Sequence, residues 1–121
     1  MSVFENDFIK RQIESMSDML GKMFLRKEDV EVLEEDALGD DEVKKYFHKI
    51  KEQIEAMKYP EAMAILQSEF ANGNMEYLKV ALYFFDVLNA KSEEELKEGN
   101  YSRNSLYNDL SFISDQFGIK L

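Results

Sequence analysis

One spacing of apolar residues recurs along this chain and limits what it can fold into. In three segments the apolar side chains follow one another at alternating intervals of four and three residues. The segments contain Ile9, Ile13, Met16, Leu20 and Met23; Val43, Phe47, Ile50, Ile54 and Met57; and Leu106, Leu110, Ile113 and Phe117. Because an α-helix turns once in about 3.6 residues, this spacing lines each set up on one side of a helix. The chain is therefore predicted to be all-α.

Residues with strong preferences for helix ends predict the boundaries in the first half. The first helix is expected to begin at Asn6 or Asp7, whose side chains can cap backbone amides. The second is expected to begin at residue 40 or 41 and to reach about residue 59. Pro60 suits the first turn of a third helix, since the missing amide of proline is not needed there.

The second half follows the same logic. The segment from Met75 to about Asn89 is apolar on nearly every side, which predicts a helix at the centre of the fold. Ser92 and Glu95 form a capping box that starts a short helix, Gly99 is expected to end it, and Ser102 to cap the last helix. We therefore expect five longer helices and one short helix, as stacked antiparallel hairpins or an irregular bundle. Residues 1–121 are predicted to form a single domain, with an acidic connection at about 28–41.

The first helix can be interpreted in several ways. Glu5 and Asp7 precede its apolar residues and further charges interrupt them, which argues against a signal peptide and a membrane span. Phe8, Met19 and Phe24 widen its apolar stripe to roughly 160° of the circumference, more than a two-stranded seam needs. A wall of the core is therefore predicted, while a dimer-forming helix and a membrane-surface helix stay open as alternatives.

Charge and cysteine content bear on partners and location. The formal net charge is −10, and the stretch from Glu28 to Glu42 alone holds nine acidic residues and no basic one. Without a basic stripe, binding to nucleic acid or to an anionic membrane surface is not expected. The chain has no cysteine, which excludes disulfides and thiolate metal sites and fits a reducing cytoplasm.

No residue pattern predicts a metal, a cofactor or catalysis. If Gly39 is placed sixth in a calcium-binding loop, Leu38 falls on the fifth position and Lys45 on the twelfth, where oxygen ligands are required. The acidic connection is therefore expected to be a solvated loop, with a weak divalent-ion site left open. The single histidine, His48, falls on the polar side of its helix, so we expect no catalytic or cofactor-binding residues.

Two resemblances add to this interpretation. The second and third helices, joined by the tight turn "KYPEA", resemble a tetratricopeptide helical hairpin, although no clean repeat of about 34 residues can be traced. This resemblance implies a concave surface for another protein. The whole chain also resembles an uncharacterised family of short helical bacterial proteins of the clostridium type, through "NDFIKRQIESM" and "LYFFDVLNAKSEEELKEGNYSRNSLYNDL". That resemblance implies no activity.

These observations favour a cytoplasmic, non-catalytic module that binds a protein partner or acts as a scaffold. The alternative is a structural protein that assembles with itself as a dimer. The candidate partner surface is aromatic, because several tyrosines fall near helix edges and turns: Tyr59, Tyr77, Tyr83, Tyr101 and Tyr107. Tyrosine is common at interfaces but is equally suited to a core from which its hydroxyl reaches water, and we expect most of the five to be core.

Overall fold

The computed structural model describes residues 3–24, 41–69 and 75–116, and these residues contain six helices and no strand. The helices are α1 (Val3–Phe24), α2 (Asp41–Glu55), α3 (Tyr59–Glu69), α4 (Met75–Asn89), α5 (Glu93–Glu98) and α6 (Arg103–Gln116). The all-α fold is thereby confirmed, and the described residues hold five longer helices and one short one, as expected. The predicted acidic connection lies outside the described residues, except for Asp41 at the start of α2.

The predicted caps in the second half are confirmed by their hydrogen bonds. The Glu95 amide donates to the Ser92 hydroxyl over 3.2 Å, and the Ser92 amide donates to a Glu95 carboxylate oxygen over 3.3 Å. The Ser105 amide donates to the Ser102 hydroxyl over 3.0 Å at the start of α6. Each bond satisfies an amide that has no carbonyl partner within its helix.

The ends of α1 and α2 differ from those predicted. Helix α1 begins at Val3 instead of residue 6 or 7, and the residues before the expected cap include no glycine or proline that would interrupt it. Helix α2 ends at Glu55, four residues before the expected end. Met57 takes a left-handed conformation there, with a φ of 59°. The Lys58 amide donates to the Gln53 carbonyl over 2.8 Å and the Met57 amide to Ile54 over 3.0 Å, the pattern of a Schellman turn.

Helix α5 ends in a second turn of the same kind. The Tyr101 amide donates to the Leu96 carbonyl and the Asn100 amide to Lys97, each over 3.0 Å. The left-handed residue is Asn100, with a φ of 58°, whereas Gly99 has a φ of −89°. Gly99 follows the short helix as predicted, but it does not supply the left-handed conformation that stops it.

The turn at Asn100 provides a test of this assignment. Asn100→Ala is expected to lower the free energy of unfolding by about 1 kcal/mol, because alanine tolerates the left-handed region less well than asparagine. Asn100 is exposed, so the substitution should remove little packing. Asn100→Gly is the matched control and should be neutral or stabilising. Urea denaturation of the three proteins measures the difference, and equal losses for alanine and glycine would contradict the conformational explanation.

Helix α4 is the centre of the fold, as predicted. It contacts each of the other four longer helices, and α1 and α6 make the most extensive contact between any two. Its side chains Leu78, Leu82 and Phe85 are buried and belong to one hydrophobic cluster with residues from all six helices. Ile13 and Leu20 join that cluster from α1. The prediction that α1 forms a wall of the core is therefore confirmed.

Helices α2 and α3 pack against each other across a three-residue turn, and Ala62 is completely buried in α3. Many helical folds contain such a pair, so the tetratricopeptide-like arrangement stays a prediction. Within the described ranges, no helix combines the length and the apolar character needed to cross a membrane.

Candidate interaction surface

The five tyrosines predicted as a partner surface are not alike in the structure. Tyr59 and Tyr77 are core residues, 1% and 7% exposed. Tyr83, Tyr101 and Tyr107 are half-buried and pack against the core from its edge. Two of these rings contact each other, those of Tyr59 and Tyr101, whose centroids are 6.4 Å apart. Tyr59 and Tyr77 thus have the core role that the sequence favoured for most of the five. The exposed edges of the three half-buried tyrosines remain candidates for contact with a partner.

The hydroxyl of Tyr101 is already bound within the chain. It donates a hydrogen bond to the carboxylate of Asp109. Burial, this hydrogen bond and the negative charge of Asp109 together raise the pKa of Tyr101. Burial also raises the pKa of Asp109, an effect that the hydrogen bond from Tyr101 opposes. The Tyr101–Asp109 hydrogen bond therefore joins α6 to the turn before it, and it occupies the donor of the Tyr101 hydroxyl.

Three large apolar side chains of the described residues are exposed, and all of them lie on α1 or α6. Phe8 is 63% exposed, Met19 is 39% exposed, and Phe112 on α6 is 44% exposed. The expectation that Phe8 and Met19 widen the core-facing stripe of α1 is therefore wrong. The side chain of Phe24, predicted to do the same, lies outside the described part of the chain.

The reason is the rotation of α1 about its own axis. The buried arc includes Ser17, which the sequence pattern did not mark as a core residue, and its hydroxyl donates to the Asp86 carboxylate of α4 over 2.9 Å. With an advance of about 100° per residue, Met19 and Phe8 lie about 160–180° around the helix from Ser17. Helix α4 therefore covers the side that holds Ser17, and Phe8 and Met19 are left on the far side.

A second contact holds the same rotation nearer the start of α1. The side-chain amide of Asn89, which is 4% exposed, donates to the Lys10 carbonyl over 3.1 Å. The same side chain accepts a hydrogen bond from Arg103, so one buried residue connects α1, α4 and α6. These polar bonds specify which side of α1 faces inward, because a rotated helix would leave buried polar groups unpaired.

Arg103 is the buried charge at the centre of this network. Its guanidinium donates to the Asn89 carbonyl over 2.7 Å, to the Asn89 side-chain oxygen over 2.8 Å and to Glu93 over 3.1 Å, and also to the Lys91 carbonyl. The backbone acceptors lie at the last residue of α4 and two residues beyond it, where a cation also complements the helix dipole. Sequence reasoning missed this residue. The available signal was its position in the first turn of α6. A cation is unfavourable at the positive end of a helix dipole unless it pairs with groups outside that helix.

The Ser17–Asp86 contact predicts a pH dependence of stability. Asp86 as a residue is exposed, but desolvation against α1 raises the pKa of its carboxyl. The nearby charges of Asp18 and Glu14 also raise it, whereas the hydrogen bond from Ser17 lowers it. The net effect is a raised pKa. A raised pKa in the folded state means that the ionised form opposes folding. This penalty is complete at neutral pH and disappears as the pH falls through the raised pKa towards the ordinary value of 3.8.

Asp86→Asn is therefore expected to increase stability at pH 7 by a small amount, since asparagine still accepts from Ser17 without the charge. The gain should shrink as the pH is lowered to about 4, near the ordinary pKa of aspartate, and thermal unfolding at both pH values measures it. Glu61→Gln, at an exposed carboxylate in the first turn of α3, is the matched control and should give no gain, because an anion there is favoured by the helix dipole. A gain that is the same at both pH values, or that the control reproduces, would contradict the electrostatic explanation.

An open groove of about 1180 Å³ lies beside α2, α3 and α4. Its wall carries charges of both signs: Lys44 lies 4.0 Å from Asp41, and the His48 ring lies 3.2 Å from the Glu52 carboxylate. His48 is exposed on the polar side of α2, as expected. A wall of mixed charge does not select a cation or an anion, so the groove does not define a ligand site.

The part of the chain that the structure describes contains no group of three or more histidine, aspartate and glutamate side chains placed to hold a metal ion. The acidic loop that was tested against the calcium template lies outside that part. Its weak ion-binding alternative stays a prediction.

Comparison with known proteins identifies the family of the chain. The model of the family of unknown function DUF6483 matches residues 3–118. The predicted resemblance to an uncharacterised family is confirmed, while the bacterial origin stays a prediction. No curated protein and no solved structure matches the chain.

Proposed function

The chain belongs to the family of unknown function DUF6483, and from its surface we propose that it is a non-catalytic module that binds another protein chain. The observation that carries this proposal is the placement of Phe8, Met19 and Phe112. These exposed side chains lie on α1 and α6, the two helices that contact each other most extensively.

Exposed apolar residues scattered singly over a surface are ordinary, whereas a contiguous apolar patch marks a contact site, and the proposal takes these three side chains to form one such patch. Phenylalanine and methionine are also residue types that protein interfaces favour, because their rings and thioethers bury a large area. Each Å² of apolar surface removed from water contributes about 25 cal/mol, so these side chains gain most from a partner that covers them.

The proposal of a non-catalytic role is supported by how the chain uses its buried polar groups. Arg103, Asn89 and Ser17 are each bound to other parts of the protein, and the Tyr101 hydroxyl is bound to Asp109. These contacts connect helices. Arg103 also borders an open groove of about 490 Å³, but its guanidinium is engaged there by Asn89 and Glu93. We place the module in the cytoplasm because the chain has no cysteine, and its charge of −10 disfavours nucleic acid as the partner.

Photo-crosslinking in cells tests this function. A benzophenone amino acid at Phe112 is expected to form a discrete adduct with a protein, and the adduct should disappear when Met19→Asp is added. The same amino acid at Lys97, which is exposed on α5, is the matched control and should form none. No adduct at Phe112, or the same adducts at both positions, would contradict the proposal. The mass of the adduct distinguishes a different protein from the self-assembling alternative.

A further inference from the structure

The outward side of α1 carries two neighbouring rows of exposed residues. The apolar row contains Phe8 and Met19, with the small residue Ser15 between them. The charged row runs beside it and contains, in chain order, Asp7, Arg11, Asp18 and Lys22; Glu14 is also exposed and lies at the outer margin of this row, about 50° from its centre and away from the apolar row. At an advance of about 100° per residue, the centres of the two rows lie about 70° apart around the helix. Each row therefore occupies one edge of the outward side.

The charged row complements itself when it is reversed. Apart from Glu14 at its outer margin, its order is acidic, basic, acidic, basic, so the same four charges taken backwards are basic, acidic, basic, acidic. Asp7 and Arg11 are four residues apart, and so are Asp18 and Lys22. An antiparallel second copy of α1 can therefore set Arg11 beside the second copy's Asp18 and Asp7 beside its Lys22 in a single register.

The apolar row fits the same register. In this register Asp7 is opposite Lys22 of the second copy and Arg11 is opposite its Asp18. Met19 of the second copy is then opposite residue 10 of the first, two residues along the helix axis from Phe8. At a rise of about 1.5 Å per residue this offset is about 3 Å, which the two long side chains span. Ser15 then lies beside the two-fold axis, where a small side chain lets the helices approach. The axis repeats every contact, as a self-complementary interface requires.

We propose that two copies of this chain associate through the outward side of α1, antiparallel about a two-fold axis. This inference rests on the proposed function and names its partner as a second copy. An antiparallel two-fold pair brings equivalent edges together, so the apolar rows meet each other and the charged rows meet each other. A parallel pair would set the charged row of one copy against the apolar row of the other, which costs desolvation without pairing the charges. The pattern therefore selects the antiparallel direction.

The surroundings of α1 are consistent with this arrangement. Asp18 acts on the pKa of Asp86, so the charged row lies towards α4. Phe112 adds apolar surface from α6, the helix in most extensive contact with α1. Each copy contributes few apolar anchors and a row of charges, so the dimer is expected to form reversibly as concentration rises and to weaken in high salt.

Disulfide trapping tests the direction of the two helices, because the natural chain has no cysteine to interfere. A mixture of the Phe8→Cys and Met19→Cys proteins is expected to form a disulfide-linked dimer under mild oxidation, while one native Phe8–Met19 contact remains. Either protein alone should cross-link poorly. The two cysteines would lie about 13 residues apart along the axis in Phe8→Cys, or about 20 Å, and about nine residues apart in Met19→Cys, or about 14 Å, whereas disulfides need Cα atoms about 4–7 Å apart.

A mixture of Phe8→Cys and Lys97→Cys controls for random collision, since Lys97 is exposed on α5. If Phe8→Cys alone cross-links as well as the first mixture does, the antiparallel arrangement is overturned. Equal cross-linking in the two mixtures overturns it as well.

Analytical ultracentrifugation tests the association itself. The wild-type protein is expected to approach twice the chain mass of 14.2 kDa as its concentration rises, and Met19→Asp to remain at the single mass with unchanged helicity. Phe8→Asp, at a side chain 63% exposed, should give the same result. A wild-type protein that stays monomeric at every concentration overturns the second copy as partner. If Phe112 still forms an adduct with a different protein, the interaction module stands; if it forms none, both proposals fail.

Charge reversal tests the pairing between the charged rows. Asp18→Arg is expected to raise the dimer dissociation constant several-fold, because it sets two like charges beside each other in both symmetric pairs. Adding Arg11→Asp to the same chain restores opposite charges with their positions exchanged, so the double variant should dimerise more tightly than Asp18→Arg alone. A double variant that is no tighter than the single one overturns the charge pairing and the register derived from it.

Discussion

Replacing Leu20 with aspartate is expected to unfold the protein or cause it to aggregate. Leu20 is completely buried on the inner side of α1, in the hydrophobic cluster that joins α1 to α4 and α6. An ionised carboxylate placed there loses its hydration, and a neutral one still leaves a polar group in an apolar cluster. Domains of this size are stable by only about 5–15 kcal/mol, so this cost removes much or all of the margin. Far-UV circular dichroism should show loss of helicity.

Met19→Asp is the matched control because it places the same side chain one residue away, at a position 39% exposed. This variant should keep its helicity and change the free energy of unfolding by about 0.5 kcal/mol or less. Equal loss of helicity in the two variants would show that α1 has no distinct inner and outer sides.

Gly99→Ala is expected to destabilise the protein by about 3 kcal/mol or more through overpacking. A Cβ atom at Gly99 would overlap the ring of Tyr59 and lie 2.8 Å from the Met57 carbonyl oxygen. The Tyr59 ring is 1% exposed, so the core around it limits its movement, and the carbonyl belongs to the backbone. The two Schellman turns, at Met57 and Asn100, meet at this point. Urea denaturation of the variant measures the loss.

A double-mutant cycle identifies the cause of that loss. In a Tyr59→Leu background the smaller side chain relieves part of the overlap, so Gly99→Ala should cost less there than in the wild-type background. If the cost is the same in both backgrounds, contact with the Tyr59 ring is not its source.

The sequence predicted features that depend on neighbouring residues. The capping box at Ser92, the Ser102 cap and the helix Met75–Asn89 follow from local hydrogen bonds and from periodicity, and the structure confirms all three. The role of α1 as a core wall followed in the same way, because its spacing lines up one apolar stripe along the helix.

The rest depends on contacts between distant parts of the chain. The stripe on α1 is wider than the surface that its neighbours cover, and its own spacing does not say which edge is left exposed. That choice is made by Ser17 and Asp86, which lie 69 positions apart in the sequence. The predicted tyrosine surface was limited for the same reason. Tyr59 and Tyr77 fall near helix ends, and helix ends in this protein pack inward as well as outward.

Thiol labelling at two adjacent positions of α1 tests the central claim, that its inner side builds the core and its outer side binds a second chain. Met19→Cys and Leu20→Cys each introduce the single cysteine of the protein, and reaction with a maleimide reports its accessibility. The cysteine at 19 should react quickly in dilute solution and more slowly as protein concentration rises. The cysteine at 20 should react only when the protein unfolds, whatever the concentration. Equal protection of both cysteines in dilute solution, or a rate at 19 that does not change with concentration, would contradict the claim.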